Sequence, residues 1–448
     1  MTKSKNTILE GRIFPALTKF AIPILFSLIL QALYGAVDLW MVSQFGTNAD
    51  VSAISTGSQT MLIVNGIVTG LSMGITVLLG QAQGEKNDKK GADIIGSSAW
   101  IFLGLAVIMT VVLLIFANPL AVLLNAPEEA FKQTVDYIFI CGAGTIFVVA
   151  YNVLNGIFCG LGDSKTPLIF VGIACVVNIA ADYTLIDVFK MGAEGAAIAT
   201  IAAQAVSVIL SAFIIKKKLP FAIGKENFKF SKKLGFGIIK LGFPIALLRM
   251  SNEVSYLIII GLVNKLGVEA SSGVGIAEKL VMFILLIPTA YMSAISAFVA
   301  QNEGAGQKER SVKALWIGMA TAAAIGGVIS YFSFFHGDTM SLMFINDPGV
   351  IKASSMFLKA TSIECFVLSL AYCFDGYFNG IEKTAFVMIQ GVGASLLVRI
   401  PYAYFASISP DPSLFNIGMA SAWAAIAMLI VSWVYYIIYR KKRKSNKS

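Results

Sequence analysis

Apolar runs long enough to cross a bilayer recur twelve times along this 448-residue chain, and little else is compatible with them. Their approximate limits are 17–44, 52–80, 94–117, 132–158, 168–189, 193–215, 235–264, 272–300, 312–335, 352–379, 385–408 and 414–438. About 20 apolar residues span the hydrocarbon as a helix. With no water at that depth, every backbone N–H and C=O must be satisfied inside the segment, which selects helices. The residues are 57% hydrophobic and 13% charged, with mean hydropathy +0.79, outside the range of soluble globular domains. The expected fold is an all-α polytopic membrane protein of twelve transmembrane helices.

The charge pattern gives an orientation. Lys and Arg gather at the N-terminus (Lys3, Lys5, Arg12, Lys19), at Lys86, Lys89 and Lys90, and at Lys165. They recur between Lys216 and Lys233, at Lys308, Arg310 and Lys313, at Lys383, and from Arg440 to Lys447. The alternate loops carry Lys132, Lys190, Lys265 and Lys352. By the positive-inside rule both termini are cytoplasmic. The net charge of +9 is thereby a topology signal, and no nucleic-acid partner is implied. The polar start M-T-K-S-K-N-T lacks a cleavage site, so the first span is expected to act as an uncleaved insertion signal into the inner (plasma) membrane.

The chain is also an internal repeat. Pro23 in K-F-A-I-P matches Pro244 in K-L-G-F-P at an offset of 221, as Gly46 matches Gly267. Leu-Asn-Ala-Pro (124–127) matches Ile-Asn-Asp-Pro (345–348) at the same offset, and Asn155 onward matches Asp375 onward at 220. Six spans per copy is an even number, so both copies enter from one side. That is the parallel arrangement of two-lobed transporters. The expected organisation is an N-terminal lobe over 1–215, a cytoplasmic linker over 216–233 and a C-terminal lobe over 234–448. The linker's Phe/Lys mixture suits either a short amphipathic helix on the inner leaflet or a solvated connection.

Enzyme and ATPase signatures are lacking. There is no phosphate-binding G-x-x-x-x-G-K-[ST] run, and the single histidine, His336, cannot build a His-rich metal site. Cys141, Cys159, Cys175, Cys365 and Cys373 lie scattered in apolar runs and read as small buried thiols. No cofactor is expected.

Polar residues at membrane depth are the sharper signal. The first span carries Asp38, together with a helix-loosening Pro23. An acid at that depth costs about 2.5–3.5 kcal/mol on insertion scales. Either it lies close enough to the surface to be hydrated, or it binds an ion or proton. Asn152 and Asn155 in the fourth span, and Asn178 and Asp182 in the fifth, share helix faces at i,i+3 and i,i+4 spacing; Thr200 lies in the sixth. Two neighbouring acids would share a proton near neutral pH, and the same oxygens could ligate Na⁺. A structural hydrogen-bond network between helices is the bland alternative. At the offset of 221, Asp38 maps onto Ile259, Asn178 onto Arg399 and Asp182 onto Ala403, so the acidic cluster was not duplicated. The second lobe has Arg249, Glu253, Glu364 and Arg399 instead. Arg249 and Glu253, at i,i+4, read as a neutralised pair, or Glu253 serves as an ion or substrate contact.

With these features the chain resembles the multidrug and toxic compound extrusion (MATE) transporters over essentially its whole length. Cys-Gly-Leu-Gly-Asp-Ser-Lys-Thr-Pro (159–167) closes the fourth span, and Asn-Gly-Ile-Glu-Lys-Thr (379–384) echoes it after the tenth. The family's first-lobe cation pattern is matched by Pro23, Tyr34, Asp38, Asn152, Asn155, Asn178, Asp182 and Thr200. The resemblance implies a monomeric antiporter that exports amphipathic, often cationic organic compounds in exchange for H⁺ or Na⁺ by alternating access. A flippase of lipid-linked oligosaccharide from the same superfamily is the alternative. The family's second-lobe ion pattern is incomplete: Glu253 fits it, but Glu364 lies at another depth and Asp375 at the inner helix end.

Overall fold

The computed structural model describes residues 8–445; Lys3, Lys5 and Lys447 of the charge pattern lie outside them. Its regular structure there is helical throughout. The helices are α1 (Ile13–Phe45), α2 (Asn48–Gly84), α3 (Asp88–Leu123), α4 (Phe131–Ala143), α5 (Thr145–Gly160), α6 (Lys165–Asp182) and α7 (Gly192–Lys218). The second copy continues with α8 (Lys232–Asn264), α9 (Val268–Gly304), α10 (Lys308–Phe335), a short α11 (Gly337–Leu342), α12 (Pro348–Gly380), α13 (Thr384–Ala394), α14 (Ile400–Ser407) and α15 (Leu414–Ser445). A π-helical turn, Tyr183–Val188, extends α6, and another, Ser395–Arg399, joins α13 to α14 into one span.

Eleven of these segments are each long and apolar enough to cross a membrane. The twelfth span is a bent one, made of the turn before α4, α4 itself and α5, and kinked by 49° at Gly144. The kink has local causes. Thr145 Oγ1 takes up the Cys141 carbonyl at 3.1 Å, a back-bond that loosens the helical ladder. Gly144 sits so close to Ile201 of α7 that a Cβ there would overlap it.

The chain divides into two compact units, and the dividing points are not at the connecting segment. One unit contains Ile22–Ala246 with 304–306; the other contains the residues up to Ala21, Leu247–Glu303 and Gln307 onward. Both α1 and α8 therefore change unit within a turn of their repeat-related prolines, Pro23 and Pro244.

Packing within each unit relies on small residues, as expected where lipid removes the hydrophobic drive between helices. In the first unit, Gly70 and Gly74 of α2 lie directly against Ala246 and Ile238 of α8, with no room for a side chain. The start of α7 is fixed by Asp50, which closes a capping box with Thr47 on α2 and accepts from Ala193 N at 3.1 Å. In the other unit α12 is the central helix, with 72% of its apolar window buried. Arg310 of the same unit donates to the carbonyls of Ile8, Glu10 and Gly11 at 3.1, 3.2 and 2.8 Å, anchoring the segment ahead of α1.

The segment between α7 and α8 is neither an amphipathic helix nor a free linker. A single 3₁₀ turn, Lys225–Phe228, is docked on α3: Asn227 Nδ2 donates to Asp93 at 2.8 Å, and Trp100 Nε1 to the Phe228 carbonyl at 2.6 Å. Asn227 also caps its own turn through Gly224 N, so no longer helix is needed to satisfy the backbone.

Candidate functional site

Three helices of the first copy converge on Asp38. The face of α1 that carries Gln31, Tyr34 and Asp38 at i, i+3 and i+7 turns inward, as that spacing requires. Thr200 Oγ1 on α7 donates to Asp38 Oδ2 at 2.9 Å. Asn178 and Asp182 of α6 lie beside the same carboxyl and, with Thr200, are the side chains that act on it. Asp38 is 6% exposed, and Asn178 and Asp182 are fully covered, so the hydrated alternative for Asp38 does not hold within the protein's own packing. Asp38 Oδ1, both Asp182 oxygens and both polar atoms of Asn178 have no protein hydrogen bond. Buried polar groups are normally satisfied. A cluster of unsatisfied oxygens, with one or two formal negative charges and no neighbouring base, fits a proton or a small hard cation.

One turn away on α1, Tyr34 Oη accepts from Gln204 Nε2 of α7 at 3.3 Å, and Gln31 Nε2 lies 3.5 Å from Tyr151 Oη of α5. These two glutamines and Tyr151 extend the network beyond the residues legible in the sequence. Gln204 stands four residues after Thr200 on the same face, a spacing that marks it in retrospect. Pro23 is inside α1, where it removes one ladder hydrogen bond. Ser27 Oγ donates to the Pro23 carbonyl at 2.9 Å, a second perturbation at the same point.

Not every expected residue joins this cluster. Asn152 accepts from Thr69 of α2 at 3.0 Å and donates to its own Val148 carbonyl. Asn155 accepts only a 3.6 Å contact from Cys159 Sγ. Asn152 thereby ties α5 to α2, Asn155 stays within α5, and neither touches Asp38. In the second copy Arg249 and Glu253 act on each other electrostatically along one face of α8 without closing an ion pair; Arg249 is half-buried and Glu253 exposed. Among the described residues the buried ion pair there is Arg399 with Glu364, at 3.4 Å. No group of three or more His, Cys, Asp or Glu side chains able to hold a metal occurs among the described residues.

A family model, MatE, matches residues 23–184 and again 244–405, two copies separated by the 221 residues of the internal repeat. The chain belongs to the MatE family. It is a multi-pass membrane transporter, not an enzyme. Among its relatives, the probable multidrug resistance protein YpnP of Bacillus subtilis is 27% identical, with 95% of each chain covered. The FAD transporter of Shewanella oneidensis is 25% identical, with 90% of each covered. A solved structure described as the outward-facing conformation of a multidrug resistance MATE transporter superposes with a TM-score of 0.92 at 19% identity. It covers 99% of this chain and all of the other. The fold of MatE transporters is thus shared along the whole chain.

Proposed function

We propose that this MatE protein is a secondary antiporter that exports amphipathic, cationic organic compounds in exchange for H⁺ or Na⁺. It works by alternating access, as a single chain in the plasma membrane with both termini in the cytoplasm. The coupling ion binds at Asp38 and Asp182, with Asn178 and Thr200 as additional oxygen donors. Tyr34, Asn152 and Asn155 form the surrounding first-lobe network, and Glu253 and Arg249 are contacts for substrate in the second lobe. The observation that carries this reading is the buried, base-free cluster of unsatisfied oxygens around Asp38. The multidrug names of relatives such as YpnP support the cargo class. A flippase that holds a pyrophosphate would require bases where this lobe places acids.

Two carboxylates in one water-poor pocket cannot both keep their charge without a counter-ion. Proton or Na⁺ entry therefore changes both the charge and the hydrogen bonding of the pocket. Pro23 gives α1 a soft point about four turns from Asp38. Ion binding biases α1 between straight and bent forms, the bent form shrinks the cavity, and the cationic cargo is expelled. Moving such a two-state element from 1:99 to 99:1 takes about 5.5 kcal/mol, within reach of one buried ion.

Purified protein in proteoliposomes, with ethidium as probe and an imposed pH or Na⁺ gradient, tests the reading. Ethidium should move against its gradient when either ion gradient is applied, and Asp38→Asn should stop it. Uptake that proceeds equally well without any ion gradient, or an Asp38→Asn protein with the wild-type rate, would sink it.

A further inference from the structure

The second copy contains buried acids of its own, Glu364 and Asp375, the latter accepting from Gln390 Nε2 at 2.6 Å, and the surroundings of Glu364 are unlike those of Asp38. Glu364 of α12 is fully covered. Its Oε1 accepts from Tyr256 Oη of α8 at 2.8 Å and from Arg399 Nη2 at 3.4 Å. Arg399, on the π-helical turn of the eleventh span, is 3% exposed, and its guanidinium carbon stands 4.6 Å from the centre of the Tyr256 ring. Its Nε and Nη1 have no protein hydrogen bond, so hydrogen bonding to many partners is not what holds it there. Charge is. The other titratable groups facing this pair are Cys365 and Tyr372 on α12 and, from α9, Glu278. Arg249 and Glu253 lie further along α8.

The repeat places this arrangement against that of the first copy. Arg399 stands where the first copy has Asn178, beside the acids. The positions equivalent to Asp38 and Asp182 are Ile259 and Ala403, 1% and 0% exposed and purely apolar. A cation could not be held there as it could around Asp38. A guanidinium, permanently protonated, has instead been placed on the scaffold itself.

We propose that Arg399 is a tethered counter-cation, which keeps Glu364 charged and buried without any ion from solution, so that Glu364 is not a coupling-ion site of the transporter. A buried carboxylate stripped of its partner is strongly destabilising, whereas removing both charges together is far less so. The proposal rests on the antiporter reading only for its last clause, and the test separates the two.

The test uses full-length protein in detergent, on an Asp38→Asn/Asp182→Asn background so that the first lobe cannot respond. The thermal unfolding midpoint is followed in choline chloride and in NaCl, at about pH 8 and about pH 6. The background protein, which keeps the half-buried Glu278 and the buried Asp375, supplies the reference midpoint in each of the four conditions. Adding Arg399→Met should lower the midpoint by roughly 5 °C or more at the higher pH without Na⁺. Acid or Na⁺ should restore most of that loss, since each supplies the missing positive charge. Adding Glu364→Gln to Arg399→Met should abolish both the loss and the ion response, and Arg399→Lys should behave like the background. If Arg399→Met does not fold while Arg399→Met/Glu364→Gln does, the same conclusion follows. A loss from Arg399→Met, relative to the background in the same condition, that is equal at both pH values and with or without Na⁺, or a double variant as unstable as the single one, makes Arg399 a packing residue and overturns the proposal. Failure of the coupling assignment would show separately, as Asp38→Asn transport at the wild-type rate.

Discussion

The two copies of the repeat use one scaffold for opposite ends. In the first, buried oxygens around Asp38 are left unsatisfied and the fourth span breaks at Gly144. In the second, the offset of 220 that relates Asn155 to Asp375 puts Glu364 at the place of Gly144, in the unbroken helix α12. Glu364 is neutralised from within the protein by Arg399. Ring packing differs as sharply. Among the described residues the first copy has one aromatic pair, Phe158 with Phe170. In the second, Phe374 alone meets Trp316, Phe378, Trp433 and Tyr436 at centroid distances of 6.4, 6.1, 5.9 and 5.7 Å. The difference teaches that duplication preserved helix order and small-residue contacts, while the polar interior diverged into one half with unsatisfied oxygens and one with an internally paired acid.

The largest effect should come from exchanging acid for amide in each half. Asp38→Asn should cut gradient-driven ethidium transport by on the order of a thousand-fold, about 4 kcal/mol. Glu364→Gln should cost far less than that. Equal losses in vesicle assays would erase the contrast, and the reverse order would invert it. Next comes ring packing. Phe374→Ala should destabilise the protein by about 3 kcal/mol, whereas its counterpart in the first copy, the partly buried Leu154, should lose about 1 kcal/mol as Leu154→Ala. Denaturant titrations of the two variants read this directly, and similar values would show the second half to be no more rigid. A smaller change is expected from Pro23→Ala, which should slow transport about five-fold, near 1 kcal/mol, while ethidium binding stays as it was. Unchanged transport would leave rigid rocking of the halves as the better account.

The smallest effect concerns the loop motif that closes the fourth span. Burial alone would push the Asp163 carboxyl up, but hydrogen bonds from Thr166 and the Lys218 ammonium at 2.9 Å outweigh it and hold it below its usual 3.8. Such a group contributes stability that is complete above its ordinary value and is lost as pH falls through the lower folded one. Both partners are partly exposed, so Lys218→Met should cost less than about 1 kcal/mol. The cost should be present at neutral pH and vanish in strong acid; a cost that persists there would assign it to packing.

How much of this could be read from residues alone follows from the nature of each signal. Span number and the repeat were legible because hydropathy and a constant offset extend over hundreds of residues. Asp38, Asn178, Asp182 and Thr200 were legible because acids and amides are expensive at membrane depth and therefore conspicuous. Asn152 and Asn155 carried the same signal but spend their hydrogen bonds on Thr69, the Val148 carbonyl and Cys159. Sequence spacing cannot tell which neighbour an amide will take. The Glu364–Arg399 pair was hidden for a related reason: i,i+4 spacing, as of Arg249 and Glu253, registers only partners on the same helix, and Glu364 meets Arg399 from 35 residues away. The docking of the connecting segment on α3 depends on Asn227 reaching Asp93, a contact without any local periodicity.

The positions at which the chain passes between its two compact units bear on how it could be assembled from pieces. A gene divided in the connecting segment would give two products, each beginning with a stretch that packs in the other's unit. The residues up to Ala21 belong with Arg310 and its neighbours, and those from Lys232 to Ala246 belong with Gly70 and Gly74. Neither product would be a self-contained module, and complementation would require that both be made together, each lending the other its opening turns. A gene divided instead beside Pro23 or Pro244 would respect the units but sever a transmembrane helix. This ancient-looking tandem is, in manufacturing terms, a single indivisible part.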